Sequence, residues 1–357
     1  MFKCRVKIII VHYGGYILIE VKNISKKYGD NLAVDNISFK IRNGKIYGLL
    51  GPNGAGKSTT MNIIAGCLSA TSGSVSINGY DIFENPFEAK SLIGYLPEQP
   101  PLYNEMTPSE YLMFVAEAKG IPYEKKYRQV KEVMQLTGIY GMKDRIIKNL
   151  SKGFRQRVGI AQAMLGNPEI IILDEPTVGL DPKQIIEIRE LIKKLGEKKT
   201  VIISSHILAE ISAVCDHVII ISQGKVVADD DISSLESAEA PTDTIHMSVK
   251  GDVNGIRAVL SGFETIENIK IGTPKTEGVV ELTLTITKGK DIRDDIFFAM
   301  AEKRYAVIAM EKESASLENI FLSLTSDTVA TGKKSKKNIK KSDADMPGKS
   351  DDEKENG

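Results

Sequence analysis

Residues 51–59 form a glycine-rich loop that constrains the fold more than any other segment of the chain. They read Gly-Pro-Asn-Gly-Ala-Gly-Lys-Ser-Thr and complete the pattern G-x-x-x-x-G-K-[ST]. We predict a buried apolar strand at residues 46–50 before the loop and a helix at residues 58–68 after it. In such a loop the backbone N–H groups turn inward around phosphates, and the helix N-terminus adds partial positive charge. The chain is therefore predicted to bind a nucleoside triphosphate.

Each residue type in this loop has a physical role in that prediction. The glycines allow the backbone to approach a nucleotide without Cβ clashes. Lys57 would reach the β- and γ-phosphates, and the Ser58 hydroxyl would bind Mg²⁺. The predicted nucleotide-binding residues of the loop are Gly51, Pro52, Asn53, Gly54, Ala55, Gly56, Lys57, Ser58 and Thr59.

Residues 170–175 form a second informative segment, in which four apolar residues, Ile-Ile-Ile-Leu, lead into Asp174 and Glu175. A strand this apolar is typical of a sheet buried on both faces, whose carboxyl edge binds ligands. Asp174 could hold Mg²⁺ by way of water, and Glu175 could act as the general base that activates the attacking water. A strand that merely ends in solvated acids is common, but the motifs described below argue against that interpretation here. A helix at residues 182–195 and a strand at 201–204 complete a predicted parallel βαβ unit.

The composition of the chain bears on its possible partners, its redox compartment and any membrane-spanning segment. The chain has 47 Lys and Arg against 47 Asp and Glu, so its charge balance does not indicate nucleic acid or an anionic membrane as a partner. The cysteines, Cys4, Cys67 and Cys215, lack metal-ligand spacing and are too few for a disulfide framework, which fits a reducing cytosol. No segment approaches the roughly 18 apolar residues of a membrane helix. Residues 1–15 are interpreted as a non-core N-terminal extension.

Together these motifs resemble the nucleotide-binding subunit of ABC transporters, over roughly residues 16–233. Residues 150–157, Leu-Ser-Lys-Gly-Phe-Arg-Gln-Arg, resemble the family's signature motif, which in one subunit closes over the γ-phosphate held by the other. The Ser151 hydroxyl, the Gly153 N–H and a helix N-terminus would make an anion site. Without the other motifs, a Ser-x-Gly helix start would be an ordinary N-cap.

Three further positions carry family roles by this resemblance. Asp181, within Gly-Leu-Asp-Pro at residues 179–182, lies in a segment similar to the loop that couples the two nucleotide sites of a dimer. His206 matches the switch histidine that contacts the γ-phosphate, and Tyr28 matches the aromatic residue that stacks on adenine. The resemblance therefore implies Lys57, Glu175 and His206 as catalytic residues, with ATP and Mg²⁺ bound.

The chain departs from the family's common pattern in two places. Lys152 and Phe154 replace the third and fifth residues of the usual Leu-Ser-Gly-Gly-Gln signature. Glu98 stands where the family has a magnesium-contacting glutamine, with Gln99 one residue later as the alternative. A carboxylate is an acceptable Mg²⁺ ligand, so Ser58, Glu98 and Asp174 are the predicted metal residues.

The sequences of these variant motifs are similar to those in the ATPases of bacterial ABC-2-type exporters, including the ATPases of gliding motility and of sodium or drug efflux. The resemblance implies a homodimer, or a heterodimer with a related ATPase, docked on an integral membrane permease at the cytoplasmic face of the membrane. It implies ATP hydrolysis coupled to export, with no nucleic-acid partner. The alternative is a soluble, non-transport ABC ATPase that acts on ribosomes or nucleic acid, although such proteins usually join two modules in one chain.

Domain boundaries follow from changes of pattern along the chain. We predict an α/β P-loop NTPase core of the ABC ATPase type at residues 16–235, with a helical subdomain at about residues 100–166. Within that subdomain Tyr111, Phe114, Val115 and Ala118 are predicted to share a buried helix face. Residues 243–325 follow a β-α-β-β-α-β order typical of a small ferredoxin-like α+β accessory domain. Residues 326–357 are rich in Lys, Asp and Ser, which predicts a disordered charged tail.

Overall fold

The computed structural model describes residues 16–238, 242–272, 278–287, 289 and 291–313. Three of the predicted segments therefore lie outside the described residues: the extension at residues 1–15, the end of the accessory domain after residue 313, and the charged tail at residues 326–357. Among the described residues, no helix combines the length and apolar character needed to cross a bilayer.

The first part of the chain, up to residue 238, mixes strands and helices. Its strands are β1 (Ile17–Tyr28), β2 (Asn31–Arg42), β3 (Ile46–Leu50), β4 (Ser72–Ile77), β5 (Tyr80–Asp81), β6 (Ile93–Leu96), β7 (Ile170–Leu173), β8 (Thr200–Ser205), β9 (His217–Ser222) and β10 (Lys225–Asp231). Its α-helices are α1 (Lys57–Ile64), α2 (Pro86–Ser91), α3 (Pro108–Ala118), α4 (Tyr123–Leu136), α5 (Lys152–Met164), α6 (Pro182–Gly196), α7 (Leu208–Ser212) and α8 (Ile232–Ala238).

The central sheet has the strand order β10-β9-β3-β8-β7-β6. The pairs β3–β8, β3–β9, β7–β8 and β6–β7 are parallel, and β10 pairs antiparallel with β9 at the edge. The predicted parallel βαβ unit is therefore confirmed as β7-α6-β8. Because β3, β8, β7 and β6 are neighbours, the segments that follow them meet at one carboxyl edge of the sheet.

Apolar side chains on both faces explain why this sheet lies inside the molecule. In β7 every residue is buried, and alternate residues belong to two different cores. Ile171 and Leu173 pack into the core that contains α5 and α6, whereas Ile170 and Ile172 pack toward α1 and the antiparallel strands. The strand alternation thus places one hydrophobic layer on each face, as expected for a parallel sheet covered on both sides.

A second, antiparallel sheet has the order β2-β1-β4-β5 and covers one of those faces. Its first strand, β1, continues to Tyr28 through register shifts in its pairing with β2. Asn23 has a left-handed backbone within this irregular stretch, with a φ of 48°. The extension matters because it carries Tyr28 to the end of β1, beside the glycine-rich loop.

The helical region between β6 and β7 contains α3, α4 and α5. A capping box starts α3, in which Thr107 accepts from the backbone N–H of Glu110 and the Glu110 side chain accepts from the Thr107 N–H. The predicted buried face of α3 is partly wrong: Phe114 and Ala118 are exposed. The helix instead buries Pro108, Tyr111, Leu112 and Ala116, a face rotated away from the predicted one. Phe114 therefore remains available on the surface.

The second part of the chain forms a separate antiparallel sheet with the order β12-β13-β11-β14. Its elements are β11 (Thr242–Lys250), α9 (Val253–Leu260), β12 (Ile266–Ile271), β13 (Val279–Thr287), α10 (Arg293–Glu302) and β14 (Ala306–Glu313). The alternation in β13 buries its apolar side chains against the helices and leaves the others half-buried or exposed. This order of elements and strands confirms the predicted ferredoxin-like α+β fold.

Candidate nucleotide-binding site

An open cavity of about 490 Å³ lies at the carboxyl edge of the central sheet. The predicted site residues that line it are Tyr28, Asn53, Gly54, Gly56, Lys57, Ser58, Thr59, Glu98, Glu175 and His206. They come from the ends of β1, β3, β6, β7 and β8, so the sheet order brings together residues far apart in the chain. Glu98, rather than Gln99, lines the cavity.

The glycine-rich loop lies tightly against its surroundings, and its first glycine is the most constrained. A Cβ built on Gly51 would lie 2.1 Å from the carbonyl oxygen of Ile221 in β9. Gly56 has a φ of 107° and acts as the N-cap of α1, and a Cβ there would lie 2.7 Å from the Ala33 carbonyl oxygen. These positions exclude side chains, which explains why glycine occupies them.

Three residues of the loop do not line the cavity: Gly51, Pro52 and Ala55. Their carbonyl groups accept hydrogen bonds that hold the loop in place. The Ala55 carbonyl accepts a hydrogen bond from the Gly224 N–H at 2.9 Å, which ties the loop to the β9–β10 turn. The Gly51 and Pro52 carbonyls accept hydrogen bonds from the Lys57 ammonium at 2.9 and 3.3 Å.

Lys57 is buried, yet its charge has partners on several sides. Besides the two loop carbonyls, its ammonium lies 3.6 Å from the Glu175 carboxylate. Both side chains are less than a tenth exposed. A charge this buried is costly without acceptors, so these contacts fix the ammonium at the base of the cavity. It lies where an incoming phosphate would find a positioned cation.

Ser204, at the end of β8, holds the acidic pair. Its hydroxyl donates to Asp174 at 2.6 Å and accepts from the Glu175 backbone N–H at 2.8 Å. Glu175 has a φ of 47°, in the left-handed region that a non-glycine residue rarely adopts. Strain of this kind persists only where the surroundings determine the conformation. Here the Ser204 hydrogen bond helps to hold the backbone that points the Glu175 side chain into the cavity.

His206 follows β8 and contacts the proposed base directly. Its Nδ1 lies 3.0 Å from Oε2 and 3.3 Å from Oε1 of Glu175. The imidazole is about a third exposed, and the carboxylate is nearly buried. The sequence predicted both residues, and the structure brings them together at the cavity wall.

The side-chain oxygen atoms of Ser58, Asp174 and Glu98 are of the type that binds a hard divalent cation. The Ser58 hydroxyl donates to Asp174 Oδ1 at 3.2 Å, and the Glu98 side chain lines the same cavity. Hydroxyl and carboxylate oxygens are the ligands that Mg²⁺ prefers. Tyr95 in β6 lies near them, and burial together with the Asp174 charge raises the pKa of its phenol. Tyr95 therefore stays neutral and donates to the Asn62 side chain at 3.3 Å.

Four further predicted residues do not line this cavity: Asp174, Ser151, Gly153 and Asp181. Ser151 is the N-cap of α5 and accepts from the Phe154 N–H at 3.3 Å. Gly153 lies against the Gln184 side chain, which a Cβ would approach to 2.6 Å. Asp181 caps α6 by accepting from the Gln184 N–H at 2.9 Å. Gln184 thus joins the starts of α5 and α6, next to the exposed Ser151.

Sequence reasoning missed several residues around the cavity. Asn31, Ala33 and Val178 line it, and Ser204 orders the acidic pair. It also left out the strands β9 and β10, against which the glycine-rich loop packs. The apolar run His217–Ser222, followed by Gln223-Gly224, was a usable hairpin signal. Ser204 could have been suspected as a polar residue that ends a buried strand.

Comparisons with known proteins show which family this chain resembles. The family model described as ABC transporter matches residues 34–178. The linearmycin resistance ATP-binding protein LnrL of Bacillus subtilis is 30% identical over 313 residues, which cover 87% of this chain and 99% of that protein. The bacitracin transport ATP-binding protein BcrA of Bacillus licheniformis is 41% identical over 212 residues, covering 59% of this chain and 68% of BcrA.

Solved structures match the same fold. The ATP-binding subunit of an ABC transporter is 32% identical, with a TM-score of 0.56, and the match covers 62% of this chain and 92% of that one. A dimeric ATP-binding cassette in a post-hydrolysis state, bound to ADP and Pi, is 28% identical with a TM-score of 0.55, covering 60% and 99%. The glycine-rich loop, the strand that precedes Asp174 and Glu175, and His206 therefore occur in a chain that resembles these proteins along most of its length. This chain belongs to the family of ABC transporter ATP-binding proteins and is an ATPase.

Proposed function

We propose that the residues of the cavity bind and hydrolyse ATP in the following roles. The backbone of residues 51–59 and the Lys57 ammonium hold the phosphates, and the Tyr28 ring stacks on adenine. Ser58, Asp174 and Glu98 hold Mg²⁺, whose charge offsets that of the phosphates when it is bound. The observation that carries this proposal is the convergence of Lys57, Glu175 and His206 at one wall of the cavity.

Glu175 acts as the general base in this mechanism. Its carboxylate lies between the Lys57 ammonium and the His206 imidazole, so it is held by a contact on each side. A water that hydrogen-bonds to this carboxylate would be aligned for attack on the γ-phosphate, and the base would take its proton. His206 orients the carboxylate and contacts the γ-phosphate, and Lys57 offsets the charge that develops there.

Two subunits complete each site in this proposal. At the start of α5 Ser151 is exposed and Gly153 is buried, and neither lines the cavity of its own chain. A helix N-terminus with a hydroxyl and a free N–H is suited to bind an anion. Hence Ser151 and Gly153 of one subunit close over the ATP bound by the other, and Asp181 lies in the loop that couples the two sites. The partner is a second copy or a closely related ATPase subunit.

The chain drives export through a separate membrane permease and works at the cytoplasmic face of the membrane. LnrL is named for linearmycin resistance and BcrA for bacitracin transport, which favours an exporter here. A surface suited to the permease lies in the segment of the chain that follows Glu98. There the exposed rings of Tyr103 and Phe114 stand edge to face, with centroids 5.4 Å apart. Exposed aromatic clusters of this kind are typical of protein interfaces.

The substitution Glu175→Gln tests the catalytic roles. It preserves the size of the side chain but removes the base, so ATP binding should persist while steady-state turnover falls by about 10²–10⁴-fold. Glu169→Gln is a matched control, because Glu169 is exposed just before the opposite end of β7. Near-normal turnover of Glu175→Gln would remove Glu175 from the role of base.

Affinity purification from membranes solubilised in detergent tests the transport role. Co-purification with an integral membrane protein supports the exporter. Co-purification with ribosomes or nucleic acid, and with no membrane protein, would favour the soluble ABC ATPase instead.

A further inference from the structure

A second set of hydrogen bonds lies directly behind the contact between Glu175 and His206. Glu210, on the short helix α7, is only 7% exposed. Its Oε2 atom accepts a hydrogen bond from the Thr177 hydroxyl at 2.6 Å and another from the Ser205 hydroxyl at 2.9 Å. One buried carboxylate oxygen therefore joins two segments that are distant in sequence.

Both donors lie next to the residues proposed to react. Thr177 is in the loop after β7, two residues beyond Glu175, and Ser205 directly precedes His206. The Ser205 hydroxyl also accepts from the Ile207 N–H at 3.0 Å, so the backbone is held on both sides of the histidine. A shift of Glu210 would therefore move the loop that follows the base, the turn that carries the histidine, or both.

The burial of this carboxylate needs a physical explanation. Burying a charge is costly unless hydrogen bonds or opposite charges compensate for it. Here the donors are two neutral hydroxyl groups, whereas the positive charge of Lys57 faces Glu175. Two hydroxyls on one oxygen fix the relative position of their segments more firmly than a single contact would.

We propose that Glu210 is a positioning residue for ATP hydrolysis. By holding Thr177 and Ser205 together, it sets the distance between the His206 imidazole and the Glu175 carboxylate. This inference rests on the roles proposed above for Glu175 and His206.

Three substitutions separate geometry from charge. Glu210→Gln keeps an amide oxygen that can accept from both hydroxyls, so it should preserve turnover within about threefold, since the acceptor remains. Glu210→Ala and Thr177→Val remove the link, and misplacement of the reacting groups should lower kcat by about 10- to 100-fold. The KM for ATP should change little, because neither residue lines the cavity. Thr137→Val is the matched control, since Thr137 is also buried and donates a hydrogen bond from its hydroxyl, but it follows α4 and does not line the cavity.

A second readout follows His206 without using activity. The chain has 4 histidines, so ¹⁵N-histidine labelling gives a simple NMR spectrum, and His206→Gln identifies the His206 signals by their loss. Glu210→Ala and Thr177→Val should shift or broaden those signals, whereas Glu210→Gln and Thr137→Val should leave them in place. Thr177→Val carries the test if Glu210→Ala fails to fold.

Several results would overturn the inference. Normal kcat in both Glu210→Ala and Thr177→Val would do so, and so would a loss of kcat with His206 signals that do not move. A result in which Glu210→Gln is as slow as Glu210→Ala would mean that charge, not position, matters. Normal turnover of Glu175→Gln would instead overturn the proposed base, while the NMR signals would still report on the link through Glu210.

Discussion

Replacing Ser204 by alanine removes one hydroxyl that serves both acids of the site. The Glu175 N–H loses its acceptor at 2.8 Å, and Asp174 loses its donor at 2.6 Å. Ser204 is fully buried and Glu175 is 7% exposed, so water does not readily replace these bonds. The unsatisfied Glu175 N–H costs about 1–3 kcal/mol, whereas Asp174 keeps the hydrogen bond from the Ser58 hydroxyl at 3.2 Å. The free energy of unfolding of the variant should therefore fall by about 1–3 kcal/mol.

Because the Glu175 backbone is left-handed, we expect a local conformational change in addition to the loss of overall stability. With its N–H free, the residue is expected to relax from a φ of 47°, which moves the proposed base away from the cavity. Urea unfolding followed by far-UV circular dichroism measures the stability, because the chain has no tryptophan for fluorescence. Hydrogen exchange of the peptide that contains Glu175 should also become faster.

Ser91→Ala is the control for this measurement. Ser91 is exposed, and its hydroxyl donates only to the nearby Glu88 carbonyl in α2, so little stability should be lost. A Ser204→Ala protein within about 0.5 kcal/mol of the wild type, with unchanged exchange at Glu175, would refute this reasoning, since surface-like substitutions fall in that range.

Two further predictions concern stability. Gly51→Ala should lower the free energy of unfolding by more than about 2 kcal/mol, because its Cβ would clash with the backbone. Gly54→Ala should lower it by about 1 kcal/mol, because the φ of Gly54 is 79° but no atom lies within 4 Å of the added Cβ. Equal losses in urea unfolding would contradict this prediction. Burial disfavours a charged His217, but hydrogen bonds with Asp229 and Asp231 outweigh burial and raise its pKa above 6.5. The stability that the protonated His217 adds is therefore complete below about pH 6.5 and is lost as the pH rises through the raised pKa. The difference in free energy of unfolding between the wild type and His217→Gln should shrink over that range, and a difference that grows with pH would contradict the prediction.

The sequence predicted the parts of the site that depend on local chemistry. The role proposed for residues 51–59 depends on their own backbone, so a contiguous motif is enough to recognise them. The same holds for the strand that ends in Asp174 and Glu175, because a run of buried apolar residues is visible before any fold is known. The ferredoxin-like order of the accessory domain followed from strand and helix periodicity alone.

The parts that could not be predicted depend on packing between distant segments. Ser204 lies 30 residues from Asp174, and its role appears only when β8 pairs with β7. Glu210 has no motif of its own, because a single acid on a helix is usually a solvated residue. The exposed Phe114 shows the same limit, since periodicity finds a helix but does not fix which of its faces meets the core.

The central claim is that ATP is held between two subunits, each of which supplies half of every site. Light scattering of the Glu175→Gln protein on a sizing column, with saturating Mg-ATP and then with Mg-ADP, tests it most directly. The account predicts the mass of two chains with ATP and of one chain with ADP, and it predicts that Ser151→Arg abolishes the ATP-bound dimer. A protein that remains a monomer with ATP, and that also fails to pair with a related ATPase subunit, would contradict the account.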